Sequence, residues 1–196
     1  MPRKISEKTK FKGRIFCIKD VLVRHDNGKE FSYEVMTAQG GSKGAMVAAV
    51  DDSGRVVLVG EYFAGINKTQ LCLPKGRAGE NENPATAARR ELEEETGFRA
   101  KTFKLLGKCY LSPGYSDQLT YIYLATGLSK PKHPKIGDEL EPLKVVLLPL
   151  SKAVAMARAG KISEARAVTG LLLAEQVIIG AKRQSKKTEN KSKAKK

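Results

Sequence analysis

The sequence predicts an α+β domain in which sheet is covered by helix, and three observations lead there. Short β-branched and aromatic runs separated by turn signals crowd the first half of the chain, one capped helix interrupts them near residue 84, and two helical stretches close the chain. With 196 residues the chain can bury a sizeable core as one domain.

The first strands are expected in FKGRIFCIKDVLV (11–23), EFSYEVM (30–36), AMVAAV (45–50) and RVVLVGEYF (55–63), set apart by the turn signals DNGK, QGGSKG and DDSG. LCLPKG then leads into a helix over 84–96, because Asn83 suits the cap, Pro84 suits the first helical position, and Gly97 is a stop. FKLLGKCYL (103–111), a loop SPGYSD, and QLTYIYLATGL (118–128) return the chain to strand. A Pro/Lys-rich connector, SKPKHPKIGDELEP, reaches the strand KVVLLPL (144–150), and LSKAVAMARAG and SEARAVTGLLLAEQVIIGA carry the helical periodicity of the end.

The net charge of +15 is concentrated at the two ends: residues 1–14 carry +5 and 181–196 carry +7, leaving about +3 on the body. The expected organisation is a basic segment (1–14), a domain (15–180) and a Lys-rich tail (181–196), read as disordered because it has no apolar residue beyond alanine. Lysines without interleaved aromatics offer nucleic acid only weak, nonspecific contact. No run is long and apolar enough for a membrane helix, and the charged N-terminus has no secretory-signal pattern. Three widely spaced cysteines, Cys17, Cys72 and Cys109, indicate neither a disulfide framework nor a zinc site, so a cytoplasmic protein is expected.

Against this basic background, residues 76–98 hold six glutamates, four of them Glu91, Glu93, Glu94 and Glu95. Helical spacing puts Glu91 and Glu95 on one face a turn apart with Glu94 beside them, while Ala85, Ala88 and Leu92 form the core-facing stripe. Arg90 can reach Glu94 at i,i+4, and Ala87 is expected to leave room for a ligand between the acids. The acidic arc occupies the C-terminal half of its helix, where the dipole disfavours anions, so a compensating cation is expected. Oxygen-only donors suit Mg²⁺ or Mn²⁺ rather than zinc.

These residues resemble the Nudix hydrolase signature G-x5-E-x7-R-E-U-x-E-E-x-G-U, where U is a bulky apolar residue, at every defined position: Gly76, Glu82, Arg90, Glu91, Leu92, Glu94, Glu95, Gly97 and Phe98. The resemblance spans about residues 15–178. It implies the Nudix fold, a mixed sheet sandwiched between helices (α/β/α) with antiparallel strands ahead of it. Asn81 stands where the family usually has glycine, and asparagine tolerates the left-handed backbone such a loop needs.

By motif position, Glu91, Glu94 and Glu95, with the Lys75 carbonyl, are implied as metal ligands, Glu94 or Glu95 as catalytic, Glu82 as a supporting carboxylate and Arg90 as organiser. Pro113, in SPGYSD, resembles the marker of ADP-ribose pyrophosphatases, and VLVGEYFAG, GDELEP and ISEARAVTGLLLAEQ resemble the related ADP-compounds hydrolases. The resemblance implies metal-dependent hydrolysis of a nucleoside-diphosphate linkage, giving AMP and a sugar phosphate. It also implies a base from Glu139 or Glu141, a substrate marker at Pro113 with Gly114, and a homodimer through strands in 15–44. Of the residues themselves, Tyr62 and Tyr115 are candidates to stack on a base or line a ribose pocket, and Lys75 and Arg77, exposed cations beside a turn, suit a substrate with extra phosphate. Gly60-Glu61-Tyr62-Phe63, Lys75 and Gln118 depart from the ADP-ribose pattern. They keep dinucleoside polyphosphate or nucleoside-diphosphate-sugar hydrolysis open, as the basic ends keep open a non-catalytic RNA- or nucleotide-binding protein.

Overall fold

A computed structural model of the chain describes residues 1–135, 137 and 143–193. Ten strands and three α-helices follow in the order β1 (Arg3–Lys12), β2 (Phe16–Arg24), β3 (Glu30–Ala38), β4 (Lys43–Ala49), β5 (Arg55–Phe63), β6 (Lys68–Cys72), β7 (Lys75–Arg77), α1 (Pro84–Thr96), β8 (Arg99–Tyr110), β9 (Leu119–Ser129), β10 (Lys144–Pro149), α2 (Leu150–Arg158) and α3 (Ala165–Lys193).

The strands form three sheets. Two are antiparallel, ordered β1-β2-β3 and β10-β5-β6, and the third is mixed, ordered β7-β4-β9-β8 with β4 and β9 parallel. Strand alternation divides the body into layers. On β4, Ala45, Val47 and Ala49 face the core under α1 with Ala88 and Leu92, while Met46, Ala48 and Val50 face the core under α2 and α3 with Val154, Ile162 and Leu171. Sheet therefore lies between helices, the α/β/α arrangement expected, with the antiparallel β1-β2-β3 unit beside it.

Helix α1 owes its ends to local chemistry. The Asn83 side chain accepts from the Ala85 N–H at 2.8 Å, Pro84 opens the helix, and Gly97, at φ 70°, ends it in the left-handed conformation with its N–H on the Glu93 carbonyl at 2.8 Å. Ala87 is fully buried in the core under α1 and leaves no approach for a ligand, contrary to expectation, because its face of the helix packs on the sheet.

Two further differences concern the basic ends. Residues 3–12 form a strand where only a basic segment is expected, since their charges are complemented across the ladder: Glu7 pairs with Lys19 and Lys10 with Asp20, both at 2.8 Å. At the other end α3 continues to Lys193 where a disordered tail is expected. Ala, Lys, Arg, Gln and Glu are good helix formers and no proline follows residue 149, so the lack of apolar residues removes packing without removing helix propensity.

Candidate active site

The loop before α1 brings its backbone against the acidic face of the helix. At Gly76 an added Cβ would stand 2.0 Å from the Glu91 carboxyl carbon, so only glycine lets that carboxylate settle on the strand. One turn on, Glu95 Oε2 accepts the Lys75 N–H at 3.0 Å. Both carboxylates are largely withdrawn from water. Burial pushes Glu95 up to about 8, and it pushes Glu91 up against the pull of Arg90.

Arg90 ties the rest together. Its Nη1 lies 2.7 Å from Glu91 and 2.8 Å from Glu94, its Nε and Nη2 reach Glu82 at 3.2 and 3.1 Å, and Nη2 also donates to the Arg77 carbonyl at 2.9 Å. Glu82 Oε2 in turn accepts the Gly79 N–H at 3.0 Å, which holds the loop closed. The clamp raises the Arg90 pKa further, first through Glu82. Glu93 belongs elsewhere. Two hydrogen bonds from Arg99, at 2.7 and 2.8 Å, and the Lys135 N–H at 3.0 Å hold its carboxyl at about 2 and fasten α1 to its surroundings.

A cleft of about 390 Å³ is lined by Glu91, Glu95, Arg90, Lys75 and Arg77 from the expected set, while Glu94 and Glu82, held by Arg90, are not among its lining residues. Lys75 is not the exposed cation its turn position suggests. Its side chain is only 9% accessible, its ammonium pairs with Glu61, and it lies over the Phe63 ring at 5.2 Å. Glu61 also accepts from the Cys72 thiol at 3.2 Å. Arg77 lines the cleft while donating to the Gln39 carbonyl.

Four expected substrate contacts stand apart from the cleft of a single chain. Tyr62 is exposed and donates to Asn67 Oδ1 at 2.7 Å, and Pro113, Gly114 and Tyr115 form a turn whose Tyr115 carbonyl accepts the Met36 N–H of β3 at 2.8 Å. Glu139 and Glu141 lie outside the described residues.

The cleft also contains Glu61, Gln118, Thr120 and Arg166, to which the sequence reading gave no role. One signal was available for Arg166: a cation in the first turn of a helix is electrostatically misplaced, just as glutamates in the last turn are.

Comparison with known proteins gives the family. Residues 42–169 match the NUDIX domain model, about two thirds of the chain. The chain belongs to the Nudix family. Among curated Nudix relatives, it is similar to the ADP-ribose pyrophosphatase of Bacillus subtilis, 31% identical over 84% of this chain and 90% of the relative. It is also similar to the ADP compounds hydrolase NudE of Escherichia coli, 31% identical over 91% and 94% of the two chains. A solved structure described as an ADP compounds hydrolase superposes with a TM-score of 0.80 at 30% identity, covering 92% of this chain and 95% of that one. By this membership the protein is a hydrolase.

Nudix pyrophosphatases of this group depend on a divalent metal. The donor chemistry here fits one: Glu91, Glu94 and Glu95 offer only hard oxygens, and burial, which raises Glu95, leaves that carboxylate short of the water that would stabilise its charge. As arranged, no three acidic, His or Cys side chains among the described residues converge at metal-holding distance, because the Arg90 guanidinium stands between Glu91 and Glu94. Arg90 takes one oxygen of each, Glu91 Oε1 and Glu94 Oε2, and leaves the second oxygen of both for a cation.

Proposed function

We propose that the protein hydrolyses the pyrophosphate bond of ADP-ribose and related ADP-linked compounds, releasing AMP and a sugar phosphate such as ribose 5-phosphate, with Mg²⁺ as metal and Mn²⁺ as its substitute. One observation carries the reading: Glu91 and Glu95 of the acidic motif line a cleft together with Arg90, largely buried where a phosphate-bound cation would neutralise them. The similarity to ADP-ribose pyrophosphatase and ADP compounds hydrolase supports the substrate class.

Glu91, Glu94 and Glu95, with the Lys75 carbonyl, would hold the metal, which supplies charge neutralisation at the phosphoryl oxygens and activation of water. The chain's own groups set the stage for that. The Lys75 N–H fixes one Glu95 oxygen, Gly76 leaves space for Glu91, and Arg90, braced by Glu82 and the Arg77 carbonyl, orients Glu94. The acidic connector supplies the general base from Glu139 or Glu141. Arg77 lies at the cleft and meets substrate phosphate, whereas the Lys75 charge is taken up by Glu61, which weakens the case for a substrate with additional phosphate.

The protein acts in the cytoplasm, in keeping with three free thiols. It acts as a homodimer through the N-terminal strands, whose Phe11, Phe16, Phe31 and Tyr33 are exposed in the single chain. Tyr115 and its Pro113-Gly114 neighbours, joined to β3, and Tyr62 complete the substrate site in that assembly.

Product chromatography tests the activity. With Mg²⁺, ADP-ribose should yield AMP and ribose 5-phosphate faster than NADH, diadenosine triphosphate, a UDP-sugar or 5′-triphosphorylated RNA are cleaved. Failure to cleave any of them with Mg²⁺ or Mn²⁺ would overturn the reading.

A further inference from the structure

The wall of the cleft away from the glutamates contains an unsatisfied group. Thr120 is 1% exposed, and its hydroxyl has no hydrogen-bond partner, the one such buried side-chain atom among the described residues. A buried hydroxyl left unpaired costs about 1–3 kcal/mol, so its position calls for a ligand that pairs with it.

The strand registers show what surrounds it. Cys109, Thr120, Gly44 and Arg77 lie on one rung across β8, β9, β4 and β7, and directly paired residues share a sheet face. At the centre of the rung Gly44 has no side chain. A Cβ there would point 3.9 Å from the Thr120 hydroxyl and 3.1 Å from the Gly76 carbonyl, so the glycine keeps open the space between the hydroxyl and the metal-facing loop.

Arg166 reaches the same cleft from the first turn of α3. Its Nε is held by Glu164 at 2.6 Å, and no other hydrogen bond of its guanidinium occurs among the described residues. It also lies close to the rung: burial pushes the Cys109 thiol up, and the Arg166 charge draws it part of the way back. Of the other cleft cations, Arg90 is engaged by three carboxylates and Lys75 by Glu61, while Arg77 donates to the Gln39 carbonyl. Gln118, two residues before Thr120 on the same side of the chain, adds an amide donor to the lining.

We propose that Thr120, Gln118 and Arg166 form a phosphate-binding wall that grips one phosphoryl group of a nucleoside diphosphate while the glutamates on the opposite wall hold the metal. The inference rests on the pyrophosphatase reading for its substrate and on the orphaned hydroxyl and the lightly engaged guanidinium for its location. A hydroxyl, a primary amide and a guanidinium together offer directed donors for phosphate oxygens, with the guanidinium supplying the charge. The wall contributes binding, so its loss appears mainly in KM.

The test uses the full chain as Thr120→Val and Arg166→Gln, with titration calorimetry of ADP-ribose and of inorganic pyrophosphate at fixed Mg²⁺, alongside steady-state kinetics. Valine keeps the shape of threonine and removes the unpaired hydroxyl, so the ligand-free Thr120→Val protein should melt at or above the wild-type temperature. Its affinity for both ligands should fall about tenfold, and that of Arg166→Gln by tenfold or more. Wild-type affinity in both variants would overturn the wall, as would wild-type protein that binds neither ligand. Hydrolysis with unchanged KM in both variants would overturn the wall alone. Binding that is weakened as expected, in a wild-type protein that cleaves nothing, would support the wall and overturn the hydrolase reading.

Discussion

Glu93 and Glu95 are two residues apart and have opposite electrostatic fates. Glu95→Gln keeps the shape and removes a carboxylate that burial disfavours, so turnover should fall by orders of magnitude while the melting temperature without metal holds or rises. Stabilisation by added Mg²⁺, measured by thermal shift, should shrink with it; near-wild-type turnover would exclude Glu95 from the metal site. Glu93→Gln should do the reverse, leaving chemistry largely intact and loosening the fold. Its folded pKa, about 2, lies below the ordinary 4.5, so its contribution is present above 4.5 and is lost as pH falls toward 2. Because Arg99 is half-exposed, solvent screening keeps the contribution of the pair small. The difference in melting temperature between wild type and Glu93→Gln should therefore be full at pH 6 and close on acidification.

At the scale of elements, two glycines are required by packing rather than by backbone conformation. Gly76→Ala would drive a Cβ into the Glu91 carboxylate and shift it by about an ångström or more, so activity should fall about a hundredfold while circular dichroism stays native. Within α3, a Cβ on Gly170 would stand 2.6 Å from Leu73 and 3.3 Å from Ile122, which is how the helix lies close over the sheet. Gly170→Val should cost about 1–3 kcal/mol in denaturant melts, whereas Gly180→Ala, with nothing within 4 Å of its Cβ, should gain up to about 1 kcal/mol through helix propensity. These contrasts also show where sequence was informative. The caps of α1 and the apolar run of β4 between its turns are local and were legible, as were the residues of the acidic motif. Glu61, Thr120 and Arg166 were not, because they come from β5, β9 and α3 and meet only through sheet register and helix docking. The strand at 3–12 escaped for a related reason: its stabilising partners are charges on another strand, which hydrophobic periodicity does not register.

Across the whole molecule, the body is a closed layered core, while the β1-β2-β3 unit presents Ile5, Phe11, Phe16, Phe31 and Tyr33 to solvent. Among the described residues no helix is long and apolar enough to cross a membrane. Light scattering at micromolar concentration should report about twice the 21.4 kDa chain mass, and Phe31→Ser with Tyr33→Ser should return it toward the single-chain value. A wild-type monomer would remove the assembly. The bond from Arg77 to the Gln39 carbonyl gives that assembly a second meaning. Arg77 belongs to the strand that carries Gly76, and Gln39 follows directly on β3, so the outer sheet is a handle on the loop that seats Glu91. Specific activity per chain should then decline on dilution through the dissociation range, and dilution in the presence of substrate should delay the decline.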